Sequence, residues 1–324
     1  MKNIIITEGD PTGISYELFD KSFAFIKTKL SKFNFILVAS QKKIQSRAKS
    51  EIPIYKNLSE IKLEILHKSQ SGGIFSLCKP ILNKKEEDKL ILGKPSIYSG
   101  KVAFSSLLTG IQLQKEIAGD IITLPLSKEW VIASGEKTFQ GHTEVFAKEY
   151  NTKTFMLMYG RKLKVILLTT HIPLKSVSSA LKKIRITPLI KAIQNSKLIN
   201  SPRVGFCGLN PHAGENGKIG REEIEIIIPY IAEMKKLGLD VHGPISADSL
   251  FIPEISKNFD LIFVCYHDQG LIPFKSFEGK KGINVTLGLD FLRVSPDHGT
   301  AFDIAGRDIA DPNSFIECIR VLTK

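Results

Sequence analysis

Short runs of apolar, β-prone residues alternate along the chain with stretches in which apolar residues recur every three or four positions. The runs are residues 3–7 (NIIIT), 35–39 (FILVA), 120–124 (DIITL), 164–169 (KVILLT), 203–209 (RVGFCGL) and 260–266 (DLIFVCY). Runs of this kind, bounded by polar residues, predict strands buried on both faces. Between them, residues 15–30, 102–117, 176–196 and 221–237 have helical spacing. Leu18, Phe19, Phe23, Ile26 and Leu30 mark the first apolar stripe; Ile224, Ile227, Ile228, Ile231 and Met234 mark the last. Gly119 and Gly238 end helices, and Pro188 predicts a break. The alternation predicts an α/β fold with a largely parallel sheet. Residues 40–94 are Lys-rich and weakly periodic, which predicts peripheral strands and loops without chemistry. No repeat, low-complexity tract or shift in composition marks a linker, so two domains are expected to be interleaved rather than strung in series.

Composition narrows the class. At 324 residues and 43% hydrophobic content, the chain can bury a sizeable core and is not disordered. The net charge of +12, from 45 basic and 33 acidic residues, suits anionic ligands, although a solvated Lys-rich surface is the plainer reading. The lysines are scattered, with no arginine-rich or aromatic-interleaved patch, so no nucleic-acid partner is expected. Four cysteines show no CxxC spacing, and Cys207 and Cys265 fall inside predicted strands. This points to a reduced, cytoplasmic protein. The start, MKNIIITEGD, meets acids after a few apolar residues, unlike a signal peptide or membrane span, so no membrane partner is expected.

The candidate chemistry clusters after three of the strands. His171, His212 and His267 each follow one closely. Ligands of open α/β sheets bind beyond the carboxyl ends of strands, where three imidazoles can converge on one ion. Any one of these histidines alone reads more readily as structural; the shared placement is what argues for a site. His298 sits in a turn, where it orients a ligand or holds the turn, and His67 and His242 carry no pattern. Asp10, Asp248 and Asp268 lie in turns beside strand ends, as partners of a histidine, as general bases or as simple turn caps. Lys275 and Arg293, in otherwise apolar surroundings, suit a carboxylate or phosphate. Gly214, Gly217 and Gly220 form GxxGxxG, which reads as a flexible turn or as an anion site at a helix start.

The segments GHTE, TTHIPL, GLNPHAGENGKIGREE, GPISADSLF, YHDQGLIPFK and GINVTLGLDFLRVSPDHGTAFDIAGR, in that order, resemble the 4-hydroxythreonine-4-phosphate dehydrogenase family of vitamin B6 biosynthesis. The resemblance covers nearly the whole chain and is weakest over residues 40–94. It implies an isocitrate/isopropylmalate-dehydrogenase-like fold, with two α/β/α domains and a cleft between them. Residues 1–125 plus 286–324 would form the nucleotide side, and 126–285 the metal and dimer side. The implied enzyme is a homodimer with its active site at the subunit interface. One divalent ion (Zn, Mg or Co) is implied on His171, His212 and His267. Substrate contacts fall on His142, Thr143, Lys275, Asn284 and Arg293, and the catalytic set on Asp248, Asp268 and Lys275. HGTAFDIAG is similar to the nucleotide loop of decarboxylating dehydrogenases, which places NAD or NADP on His298, Gly299, Thr300 and Asp303.

The implied reaction oxidises 4-phosphohydroxy-L-threonine to 2-amino-3-oxo-4-phosphobutanoate, followed by decarboxylation to 3-amino-2-oxopropyl phosphate. A sister group acts on other four-carbon phosphates, namely 4-phosphoerythronate or 4-phosphothreonate. Two departures stand out: Ser15 and Tyr16 replace a Gly and a Pro of the family's first turn. From another class, a three-histidine metal hydrolase would also use an open ion, but it has no use for HGTAFDIAG. A non-catalytic binding domain would not need Lys275, Asn284 and Arg293 together with the histidines.

Overall fold

A computed structural model describes residues 1–39, 52–67, 72–78 and 81–324. The remaining parts of the 40–94 stretch lie outside the described residues. The chain forms two compact units, Met1–Asn151 with Phe291–Lys324, and Thr152–Asp290.

The first unit opens with β1 (Lys2–Thr7), α1 (Ser15–Lys27), β2 (Phe33–Val38), β3 (Ile54–Tyr55), α2 (Leu58–His67) and β4 (Ile74–Leu77). It continues with α3 (Ile97–Ile117), β5 (Asp120–Thr123), α4 (Lys128–Ala133) and α5 (His142–Glu149). The second unit contains β6 (Phe155–Tyr159), β7 (Lys164–Leu167), α6 (Thr187–Gln194), β8 (Arg203–Cys207) and α7 (Ile228–Lys236). It ends with β9 (Asp240–Ile245), β10 (Leu261–Val264), α8 (His267–Glu278) and β11 (Ile283–Leu287). The chain then returns to the first unit as β12 (Arg293–Pro296) and α9 (Asn313–Leu322).

Strand order in the first unit is β3-β4-β2-β1-β5-β12, with every pair parallel. Ile4, Ile5 and Ile6 are fully buried, as a strand covered on both faces requires. In the second unit the order is β11-β6-β7-β10-β8-β9. Here β11/β6 and β6/β7 pair antiparallel and the others parallel. Its core packs Val165, Leu167, Cys207, Ile262, Val264 and Phe274 under the strand ends that matter below.

Several expectations shift. Helix α3 starts at Ile97, not at 102, because Ser96 and Ser99 form a reciprocal cap. Gly100 lies inside the helix: a Cβ there would stand 2.1 Å from the Trp130 carbonyl, so its absence lets α4 pack onto α3. The stretch 176–196 divides into Val177–Leu181 and α6, with Pro188 in the first turn of α6. Residues 221–237 begin with a wide turn, Glu223–Ile227, in which the Ile228 N–H reaches the Glu223 carbonyl. Pro229 has no N–H to donate to Glu225, so the ladder slips by one residue. In the 40–94 stretch, β3 and β4 sit at the sheet edge, and the helix α2 was not expected.

Residues 126–151, expected on the metal side, belong to the first unit. The ring of Phe291 stands 6.2 Å from Phe146 and 5.0 Å from Tyr150, which ties α5 to the returning chain. All four cysteines are free and buried. Among the described residues no helix is long and apolar enough to cross a membrane.

Candidate active site

Strands β7, β10 and β8 are neighbours and parallel, so their carboxyl ends share one sheet edge. His171 follows β7, His267 opens α8 directly after β10, and His212 follows β8. Helix α8 lies flat on the sheet. A Cβ at Gly270 would stand 2.7 Å from Val264, 2.8 Å from Leu167 and 2.9 Å from Val165. This places the His267 ring 5.4 Å from the His171 ring, tilted by 46°. Two imidazoles sharing a tetrahedral ion have centres roughly 5 Å apart, so this pair fits a divalent cation. Asp268 Oδ1 lies 2.7 Å from His267 Nδ1, a contact that orients the ring and leaves its Nε2 to other partners. His212 does not join them: among the described residues no three His, Cys, Asp or Glu side chains are arranged so that they could hold a metal ion. One chain thus brings two of the three imidazoles together.

His212 sits in an unusual loop. Residues His212, Ala213, Gly214, Glu215 and Asn216 all have positive φ, a left-handed turn. For the non-glycine members this costs roughly 1–2 kcal/mol each. Buried Glu223 offsets it by accepting the N–H of Leu209 (2.8 Å), the N–H of Asn210 (2.7 Å) and Asn210 Nδ2 (2.9 Å). The chain's own carboxylate thus takes up the donors just before the glycine-rich loop. Near His212, Asp248 is exposed and bonded to Ser246 Oγ. That bond, with the field of His212, lowers its pKa.

In the first unit, Arg293 is 2% exposed. One guanidinium nitrogen donates to Thr123 Oγ1, and the group lies 5.6 Å over the Phe146 ring. Burial pushes its pKa down to about 10, which keeps it charged at neutral pH. His142, at the start of α5, has a buried Nε2 without a hydrogen-bond partner. Burial, and secondarily the Arg293 charge, hold this imidazole neutral. Thr143 is half-buried next to it.

The 8–13 turn is built around Asp10, which accepts from Thr12 N (2.9 Å), Thr12 Oγ1 (2.6 Å) and Ser99 Oγ (3.0 Å). Burial raises its pKa, and its bonds to Thr12 and Ser99 organise the turn. Tyr16, one of the two departures, donates its hydroxyl to buried Glu8. The turn abuts the 298–303 loop through Ile14 N–H on the Thr300 carbonyl, 3.1 Å. There His298 Nδ1 lies 3.0 Å from the Gly299 carbonyl, and its buried Nε2 has no partner. Thr300 is half-buried, and Gly299 and Asp303 are exposed.

In the second unit, Asn284 on β11 faces Met158 in register and has a buried, unpartnered Oδ1. Lys275, expected in apolar surroundings, is exposed on α8. Buried polar atoms normally find partners. The unmet atoms on His142, Asn284 and His298 leave buried hydrogen-bonding positions open at three of the expected site residues. The residues missed from sequence are Glu223, Thr169 and Gln269. The signal for Glu223 was an acid placed just after a glycine-rich loop whose neighbouring N–H groups needed an acceptor.

The family described as pyridoxal phosphate biosynthetic protein PdxA matches residues 29–322. A 4-hydroxythreonine-4-phosphate dehydrogenase of Aquifex aeolicus is 39% identical, over 99% of this chain and 97% of that protein. A putative D-threonate 4-phosphate dehydrogenase of Oceanobacillus iheyensis is 38% identical, over 97% of this chain and 95% of that protein. The crystal structure of 4-hydroxythreonine-4-phosphate dehydrogenase from Klebsiella pneumoniae superposes with a TM-score of 0.80 at 30% identity, covering 100% of both chains. The chain belongs to the PdxA family of pyridoxal phosphate biosynthetic proteins.

Proposed function

We propose that this chain is an NAD(P)-dependent, metal-assisted dehydrogenase that oxidises 4-phosphohydroxy-L-threonine to 2-amino-3-oxo-4-phosphobutanoate, which then loses CO2. The observation that carries the reading is the His171–His267 pair at the shared strand edge. His171, His212 and His267 would hold a divalent ion (Zn, Co or Mg), with a second copy of the chain completing the set. Such an ion supplies Lewis acidity to the hydroxyl undergoing oxidation and to the enolate left by decarboxylation. The second copy accords with Ile172, Leu174, Ile219, Ile224, Ile228 and Ile272, all exposed on segments that follow the three histidines.

The chain's own residues divide the remaining work. Buried, charged Arg293 anchors a carboxylate or phosphate, with Lys275 adding charge from α8. Neutral His142, Thr143 and Asn284 offer hydrogen bonds to the substrate. Asp248, ionised at neutral pH, would accept the hydroxyl proton, and a bound NAD(P) would supply the hydride acceptor. Asp268 is engaged by His267, so it orients that ring rather than acting as base. His298, Gly299, Thr300 and Asp303 would hold the adenosine portion of a bound NAD(P). We place the enzyme in the cytoplasm, in keeping with its four free cysteines. Family membership removes the hydrolase reading. The relative described as a D-threonate 4-phosphate dehydrogenase supports a second substrate reading, since its identity is nearly the same.

The test is NADH or NADPH absorbance on mixing purified protein, NAD or NADP, and divalent ion with 4-phosphohydroxy-L-threonine, D-threonate 4-phosphate or 4-phosphoerythronate. A kcat/KM at least about tenfold higher for the first supports the primary reading, about 1.4 kcal/mol in transition-state binding. Preference for another of the three reassigns the substrate. No NADH with NAD and no NADPH with NADP, from any of the three, sinks the proposal.

A further inference from the structure

We infer that Thr169 and Gln269 are positioning residues that clamp the Cys265 peptide and so set the spacing of the three histidine-bearing strand ends. The inference rests on the ion-binding reading above. The parallel ladder registers Val264 with Leu167 on one side and Phe263 with Phe206 on the other. Cys265 comes next, where backbone pairing gives out. Its carbonyl accepts from Thr169 Oγ1 at 2.7 Å, and its N–H donates to Gln269 Oε1 at 2.7 Å. The other end of the same amide, Gln269 Nε2, donates to the Gly208 carbonyl at 2.6 Å. Thr169, Cys265 and Gln269 are all buried. Two side chains thus replace the missing rung and bind the ends of β7, β10 and β8 together. Thr169 lies two residues before His171, Cys265 two before His267, and Gly208 shortly before His212.

The chemistry is directional. Only a group with one acceptor end and one donor end satisfies both Cys265 N–H and Gly208 C=O, and glutamine has both. Glutamate would set an anion against the Gly208 carbonyl. Valine at 169 keeps the shape of threonine but leaves the Cys265 carbonyl without its hydroxyl.

The test titrates Co2+ into the metal-free dimer of the full chain, read by calorimetry and by visible absorption. Thr169→Val and Gln269→Met are expected to weaken Co2+ binding on the order of 10- to 100-fold, the range of outer-shell changes, and to alter the absorption band. Thr169→Ser, which retains the hydroxyl, is expected to bind within about threefold of wild type. The metal-free variants should unfold within a few degrees of wild type, roughly the effect of one lost bond in Thr169→Val and of two in Gln269→Met. Hydrogen exchange at the Cys265 amide should quicken in Gln269→Met with or without metal. Wild-type affinity and spectrum in both Thr169→Val and Gln269→Met would overturn the inference while leaving the ion-binding reading intact. No Co2+ uptake by wild type would overturn both.

Discussion

The rings of His171 and His267 stand 5.4 Å apart, on strand ends that neighbour one another in the sheet though not in the chain. Removing either ring should abolish tight ion binding. His171→Ala or His267→Ala is expected to lose more than about 100-fold in Zn2+ affinity, and Asp268→Asn about 10- to 100-fold. Calorimetric titration of the metal-free protein checks this. Equal affinity in His267→Ala would show that the pair is structural.

Arg293 is buried with its charge retained. Met at 293 avoids the cost of burying a charge but leaves Thr123 Oγ1 without its donor. Arg293→Met is therefore expected to lose roughly 1–3 kcal/mol of stability. Its KM should still rise about 10- to 100-fold, the worth of a charged hydrogen bond. Lysine should not restore it, because it lacks the planar fork. Denaturant unfolding and steady-state kinetics together decide; an unchanged KM would remove Arg293 from the substrate site.

His142 gives a pH signature. Its folded pKa lies well below the ordinary 6.5, so below pH 6.5 the unfolded chain binds a proton that the folded chain does not. Stability then rises with pH up to about 6.5 and levels off above, with a slope from this group of at most about 1.4 kcal/mol per pH unit. His142→Gln should lose that slope. Denaturation midpoints at pH 5, 6 and 7 in both proteins measure it, and identical pH profiles would refute the assignment.

The loop around His212 sets a strained turn against a carboxylate. Glu223→Gln turns an acceptor into a donor facing the Asn210 amides and should destabilise by roughly 3 kcal/mol. Glu215→Gly relieves left-handed strain of roughly 1–2 kcal/mol, while glycine's backbone entropy returns roughly 0.5–1. The net expectation is a gain of up to about 1 kcal/mol. Unfolding curves test both signs, and a destabilised Glu215→Gly would show that the turn is not strained.

The alternation of strands and helices was legible because each buried run is local. So was the idea of three histidines at strand ends, since position after a run needs no partner. That β10 inserts between β7 and β8 was not legible, because strand order is decided by packing across long separations. The true start of α3 was not legible because the reason for a glycine inside its first turns, the close approach of Trp130, lies thirty residues away. Glu223 and Gln269 were missed for a shared reason: each side chain serves backbone groups of a different element. The seam at 151 escaped because the contacts that draw α5 to the first unit come from Phe291, far along the chain.

Helix α8 rests so close to β7 and β10 that a single methyl group at position 270 has no room. The backbone under His267 therefore inherits the stiffness of the sheet, and what motion the imidazole keeps is confined to its own torsions. Any ligand arriving there meets a donor whose ordering was settled when the chain folded. A substitution at 270 would undo that preorganisation without altering one coordinating atom.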